Sequence, residues 1–465
     1  MSSVAPPTAF GPGDKKRPYL VFCAFPAPGH VFPTLRIAKE MIARGFEIAF
    51  LSADTFRAKV EAIGAEFVAI PGFAHVFGDA EKMAERLRAP PGMMRLLWAM
   101  RNFFMDSMPA QAEALKGFLE RVREADPERE VIIINETGYM GTLPFLNGAP
   151  LPKGYSAFPK VLSVSTIPLF TRSIDTAPFG PGLPPDSTPS GRLRNKMLYE
   201  LMDKFIFAEN TAYQTKIMES LGATWDSTGI NFWDLYNDSY ETAIFLSSAS
   251  MEYPRSDLRP CFKFTGMLPK EPPPADLQYP NWWSNLTGEG GKKVVVVTQG
   301  TTATMYEDLI IPAIRALGER DDLLVVAVLG VRGATLPAEV EIPANTRVID
   351  YLPYDAILPL ASVFVFNGGY GGFLHSVTHG VPMVIAGRSE DKPEVAARGE
   401  FSRVAVDLKT GTPSSEQVLD GVRKVLSEPS YKERVMEIRK ENEGMDAFGK
   451  IEELIWEFVP APSKI

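Results

Sequence analysis

Two stretches of this chain set residues that can do chemistry beside glycines that would expose them. One is Ala27-Pro28-Gly29-His30-Val31-Phe32-Pro33-Thr34; the other runs Phe366-Asn367-Gly368-Gly369-Tyr370-Gly371-Gly372-Phe373-Leu374-His375-Ser376-Val377-Thr378-His379-Gly380-Val381-Pro382-Met383. Histidine is scarce, with 4 in the whole chain, at positions 30, 75, 375 and 379. An imidazole with an ordinary pKa near about 6.5 can accept a proton at neutral pH, so one placed on a crevice is a candidate base. His30 comes soon after an apolar run, Gly29 permits a sharp turn and Thr34 stands near a helix start, which presents the ring at the carboxyl end of a strand. A histidine satisfied by loop carbonyls is the structural alternative. In the second stretch, Gly368, Gly369, Gly371 and Gly372 lie between an apolar strand and a helix. Glycines there let the backbone approach a ligand, and a helix start adds a partial positive charge worth up to about 1 kcal/mol, so the segment reads as a diphosphate seat. The plain alternative is a glycine-rich turn. Gln299, Gly300, Thr301 and Thr302 take the same post-strand position one unit earlier, and Ser389-Glu390-Asp391-Lys392 follows a further strand, where carboxylates can accept hydrogen bonds from sugar hydroxyls.

The elements that must position these residues alternate along the chain. Tyr19 to Phe25 predicts a strand, Leu35 to Ala43 a helix, Glu47 to Ser52 a strand, Phe56 to Ile63 a helix and Glu66 to Ile70 a strand. Glu81 to Glu124 reads as helical, Val131 to Asn135 and Lys160 to Ser165 as strands, and the Pro, Gly and Ser of Thr171 to Arg194 as a long surface loop beside a site. Prolines crowd 254–283, which reads as a stiff interdomain linker without regular structure. The alternation then restarts, with strands at Lys293 to Thr298, Leu323 to Leu329, Thr346 to Ile349, Val363 to Phe366 and Pro382 to Ala386, and a helix at Leu309 to Leu317. The expected architecture is therefore α/β: two Rossmann-like, doubly wound domains facing across a cleft, each offering ligands the carboxyl ends of its strands. The predicted division is a disordered tail 1–14, a first domain 15–253, the linker 254–283, a second domain 284–445, and a C-terminal helix within 446–465 that packs back on the first domain.

A formal charge of -9 argues against a surface built to neutralise nucleic acid or anionic lipid. Two cysteines, Cys23 and Cys261, cannot build a disulfide framework, and their neighbours lack metal-ligand spacing. With no signal-like segment and no apolar run of the ~20 residues a membrane span needs, the expected location is cytoplasmic.

The tract Tyr351 to Glu394 resembles the C-terminal donor box of the UDP-dependent glycosyltransferases, particularly their macrolide and phenolic branch with the GT-B fold, and a weaker likeness runs from Pro18 to Leu426. Its most specific marks are Gly369, His379-Gly380-Val381-Pro382-Met383 and Asp391. The resemblance implies that Tyr351 stacks on uracil and Leu352 meets the base through its backbone. Asn367, Gly371 and Gly372 would stand at the phosphates, His375 at the ribose, and Asp391 with Lys392 on the donor sugar. Asn367 replaces the usual opening histidine, His375 a glutamate and Lys392 a glutamine. UDP-glucose is the donor implied best, as a co-substrate and with no metal required. The resemblance also makes His30 the general base of an inverting displacement. Such a base needs a carboxylate to hold its tautomer, and Glu136, where the family has aspartate, is the candidate, with Asp106 as its rival. A small apolar acceptor, such as a phenolic, flavonoid or polyketide, would meet Phe77, Phe103, Phe104, Met108 and Tyr139. One alternative function is a non-catalytic nucleotide-sugar sensor or scaffold; another, a Rossmann oxidoreductase, lacks the Gly-x-Gly-x-x-Gly that should follow the first strand.

Overall fold

The computed structural model describes residues 16–72, 79–225, 229–287, 291–301 and 303–460. Its first half holds a seven-stranded sheet in the order β3-β2-β1-β4-β5-β6-β7, formed by β1 Tyr19–Cys23, β2 Glu47–Ser52, β3 Glu66–Ala69, β4 Val131–Glu136, β5 Lys160–Ser165, β6 Thr242–Phe245 and β7 Phe262–Phe264. Its second half holds a six-stranded sheet in the order β10-β9-β8-β11-β12-β13, from β8 Lys293–Thr298, β9 Leu323–Val328, β10 Thr346–Ile349, β11 Val363–Phe366, β12 Met383–Ile385 and β13 Ala405–Asp407. Every strand pairing is parallel, from Tyr19↔Val131 in the centre of the first sheet to Val363↔Val295 in the second. Runs such as Val-Ile-Ile-Ile in β4 and Val-Val-Val-Val in β8 are buried because helices cover both faces, which is why these strands do not alternate polar and apolar.

The α-helices among the described residues are α1 Pro28–Ala43, α2 Arg57–Ala62, α3 Ala80–Arg88, α4 Met93–Ala99, α5 Met108–Ala125, α6 Leu143–Leu146, α7 Pro189–Leu201, α8 Ala208–Ser220, α9 Phe232–Ser239, α10 Ile310–Leu317, α11 Tyr354–Ile357, α12 Tyr370–His379, α13 Lys392–Phe401, α14 Ser415–Ser427, α15 Pro429–Glu443 and α16 Ala447–Phe458. Although it comes last, α16 buries Ile451, Leu454, Ile455 and Trp456 against Leu20, Ile48 and Ile132 of the first sheet. Each such buried side chain is worth roughly 1.5–3 kcal/mol, which pins the end of the chain to its front lobe.

Three expectations need correction. Pro28 at the first helical position pre-sets the helical φ, so α1 begins seven residues before the predicted Leu35 and His30 lies inside its first turn. Glu136 is the last residue of β4, not the first after it. The Pro-rich stretch 254–283 is not free of regular structure: Phe262 and Phe264 pair with Ala243 and Phe245, so β7 extends the first sheet into it.

Candidate functional site

Each sheet changes direction once, and at that point two neighbouring strands send their following segments to opposite faces, leaving a crevice. In the first sheet the place lies between β1 and β4, and His30 and Glu136 meet there. The Nδ1 of His30 lies 2.5 Å from Glu136 Oε1. That oxygen also accepts from the Gly138 N–H at 2.9 Å and the Thr166 hydroxyl at 2.7 Å, while Oε2 accepts from the Phe25 N–H at 3.2 Å. The fully buried carboxylate therefore has its lone pairs engaged, as an ionised group out of water must. With Nδ1 held, Nε2 is the nitrogen left for a substrate. Burial opposes a charge on His30, but the Glu136 charge and hydrogen bond, together with the more distant Asp391, outweigh it and raise the pKa above the ordinary histidine value. Asp106, the rival carboxylate, instead accepts from the Tyr213 hydroxyl at 2.6 Å. Gly138 makes room for this arrangement, since a Cβ there would lie 2.9 Å from His30 Nδ1 and 2.8 Å from Phe25 Cβ.

In the second sheet the equivalent place lies between β8 and β11. The Asn367 side chain donates to the Gln299 carbonyl at 2.5 Å and so ties the two post-strand loops together. Helix α12 then begins at Tyr370 with Gly369 as its cap and no side chain on its first amides. A Cβ on Gly369 or Gly371 would project into open space, so both glycines leave the approach to those N–H groups clear. Gly368 does a different job: with φ of 84° it makes the bend, and it does not line the cleft.

These two places open into one cleft of about 890 Å³. His30, Gly138 and Thr166 line it from the first lobe; Gly300, Thr301, Tyr351, Leu352, Asn367, Gly369, Gly371, Gly372, His375 and Glu390 to Lys392 line it from the second. His30 and Asp391 each sense the other's charge across the gap. Burial raises the pKa of Asp391 against the opposing charge of Lys392, and among the described residues no side chain hydrogen-bonds to its carboxylate.

Several predicted contacts are redirected. Gln299 lines the cleft, but its side chain is spent on the loop ahead: its amide donates to the Met305 carbonyl at 2.8 Å, and its Oε1 accepts from the N–H groups of Leu309 and Ile310. Glu390, in the left-handed region at φ 53°, is paired with Lys392 and, across the lobes, with Arg86. Burial alone would raise its pKa; the two cations draw it down to about 2. The Tyr351 ring is capped by the Arg332 guanidinium, 4.5 Å from its centroid. Phe103 and Phe104 line the cleft, and Phe104 stacks on Phe25 at 4.2 Å. Met108 and Tyr139 do not line it: both are fully buried in the core beneath, where the Tyr139 hydroxyl donates to the Gln111 carbonyl. Phe77 and Thr302 lie outside the described residues.

Met100 and Phe179, within the candidate acceptor segments Leu96 to Met108 and Asp175 to Pro185, also line the cleft, but sequence reading missed the rest of the apolar wall, Met140, Phe170, Trp233 and Tyr236, because these come from distant segments with no shared motif. It also missed Thr166, whose place just after β5 was a usable signal, and the seam between the lobes. There the buried Arg398 of α13 donates to Glu252 at 2.7 Å, Glu394 at 2.8 Å and the Leu169 carbonyl at 2.7 Å. Glu394 in turn accepts from the N–H groups of Gly180 and Gly182, fastening the 169–182 loop of the first lobe to the helix that begins at Lys392. Among the described residues, one cluster has metal-ligating chemistry: Asp355, His375 and His379. No helix among them is long and apolar enough to cross a membrane.

A family model described as "UDP-glucoronosyl and UDP-glucosyl transferase" matches residues 182–442. UDP-glucosyltransferase 1 of Beauveria bassiana (strain ARSEF 2860) is 42% identical over 446 residues, covering 95% of each chain. UDP-glucosyltransferase B1 of Starmerella bombicola is 37% identical over 453 residues, covering 95% of this chain and 99% of its own. Among solved structures, the glycotransferase of kitacinnamycin superimposes with a TM-score of 0.68 at 21% identity, over 96% of this chain and all 100% of the other. CalG4, the calicheamicin glycosyltransferase, gives 0.66 at 16% identity, again over 96% and 100%. The shared architecture is the GT-B pair of Rossmann-like lobes.

Proposed function

The chain belongs to the UDP-glucuronosyl and UDP-glucosyl transferase family, and from that premise we propose that it transfers glucose from UDP-glucose to a hydroxyl of a small, apolar acceptor, with inversion at the anomeric carbon. The observation that carries this reading is that the His30–Glu136 pair and the uncapped start of α12 open into the same cleft. The acceptor hydroxyl gives its proton to His30 Nε2 as its oxygen attacks the anomeric carbon. Glu136 stabilises the imidazolium that forms, and its hydrogen bond keeps Nδ1 protonated so that Nε2 carries the free lone pair.

On the far side, the bond to UDP breaks, and the departing diphosphate gains charge where the Tyr370, Gly371 and Gly372 amides and the α12 dipole face it. No metal is needed for these steps. Asp391, on the cleft and free of side-chain hydrogen bonds, is placed to accept hydrogen bonds from the sugar hydroxyls, whereas Glu390 and Lys392 hold the loop that carries it. The aromatic wall from Phe103 to Tyr236 favours a flat or elongated apolar acceptor. The free thiols of Cys23 and Cys261 fit work in the reducing cytoplasm.

Incubation with UDP-glucose and a panel of phenolic, flavonoid and polyketide acceptors should yield products heavier by one hexose, with inverted anomeric configuration by NMR. Nucleotide binding with no product from any UDP-sugar would instead favour the sensor.

A further inference from the structure

His375 and His379 are four residues apart on α12 and therefore project from one face of it. Asp355 of α11 faces both: its Oδ1 lies 2.7 Å from His379 Nε2 and 3.4 Å from His375 Nδ1. The three potential ligand atoms lie within 4.8 Å of one another. Two imidazoles and a carboxylate are the donor set that borderline cations such as Zn²⁺ take, and three protein ligands leave a fourth position free. That position has an outlet, because Asp355 and His375 line the cleft while His379 is buried behind them.

The cluster has no part in the proton transfer at His30, and one carboxylate oxygen now serves two rings, the second over a long 3.4 Å. From this geometry we propose that Asp355, His375 and His379 form a binding site for a divalent transition metal in the wall of the donor cleft, and that the bound ion competes with the nucleotide. The competition rests on the reading that the nucleotide occupies this cleft beside Tyr351. An ion there draws His375 away from the ribose position and adds a hydrated cation to the space, so it inhibits transfer and takes no part in it.

The test is calorimetric titration of ZnCl₂ into the metal-free full chain. One ion should bind per chain with a micromolar dissociation constant. Asp355→Asn and His379→Ala should each weaken it by more than about tenfold, since each removes a ligand. Asp355→Asn guards against misfolding of the variant at buried His379, and Cys261→Ser should leave binding unchanged. No zinc binding, binding in both ligand variants as tight as in the wild type, or loss of binding in Cys261→Ser would each overturn the site.

UDP affinity is then measured with and without ZnCl₂. Zinc should weaken it in the wild type by more than in His379→Ala, where only chelation of zinc by free UDP operates; equal weakening would overturn the competition. UDP binding to the metal-free chain is measured first. Its failure counts against the donor reading alone, because the zinc titrations decide the metal site by themselves.

Discussion

The two walls of the cleft face each other with different materials. In the front lobe a side chain is poised by other side chains: His30 is aimed by Glu136, whose own oxygens are held by Gly138, Thr166 and Phe25. In the rear lobe the offer is mostly backbone, an uncapped helix start behind Gly369 and Gly371, which would clash with nothing if enlarged. The difference follows from what each wall must do. A proton acceptor has to be fixed in tautomer and angle, and only a satisfied buried network does that. An anion seat has to stay empty and approachable, which favours fixed dipoles over long side chains that would fold into the space.

The largest expected effect strikes the front wall. His30→Ala should lower transfer by roughly 10²–10⁴-fold while UDP binding, followed by thermal shift, stays near that of the wild type; near-normal turnover would remove the distinction between the walls. Next comes the seam that keeps the walls apposed. Arg398→Ala leaves the buried Glu394 without its cation and Glu252 with Arg255 alone, which should cost about 3–5 kcal/mol of stability in a denaturant melt. A variant as stable as the wild type would mean that the lobes are not clamped there.

Glu136→Gln should reduce turnover on the order of 10²-fold and shift its pH profile. Transfer needs neutral His30, so activity falls as pH drops through a pKa that Glu136 raises; without that charge the acidic limb should move to lower pH. The same raised pKa means the ion pair adds to stability below the pKa of free histidine, and this contribution fades as pH rises through the folded-state pKa.

The mildest test falls on the rear wall. Gly371→Ala lies within a helix and meets no atom, so stability should hold or rise by about 0.5–1 kcal/mol. The added methyl should nevertheless raise the KM for UDP-glucose by about tenfold, because it projects where the phosphate would lie. An unchanged KM would show that the glycine is only a turn.

Much of this was legible before any coordinates. Apolar runs bounded by turn residues placed Lys160–Ser165, Lys293–Thr298, Thr346–Ile349 and Val363–Phe366 at their observed limits, since a strand buried on both faces must be apolar throughout and its ends must turn. The region from Pro189 to Phe264 was far less legible: α7, α8 and α9 hold polar and apolar residues in mixed order, and β6 and β7 are short. Met108 and Tyr139 were misassigned because composition cannot tell an apolar side chain on a cleft from one beneath it. Gln299 and Glu390 line the cleft as expected, yet their side chains are engaged locally, because a polar side chain beside a site is as readily consumed by its own loop as by a ligand.

What the sequence determined by itself was local and periodic: which stretches are strands, where glycines bend the chain, and that a scarce histidine follows a strand. Those features depend on near neighbours, whose spacing is written in the chain. The tertiary structure alone decided that Glu136 and not Asp106 holds His30, that Arg398 joins the lobes, and that Asp355 comes to face two histidines. Each of these pairs residues 20 or more positions apart; the first and last form when each lobe folds and brings separate segments of its own sheet together, and the Arg398 contact forms only when the two lobes pack side by side.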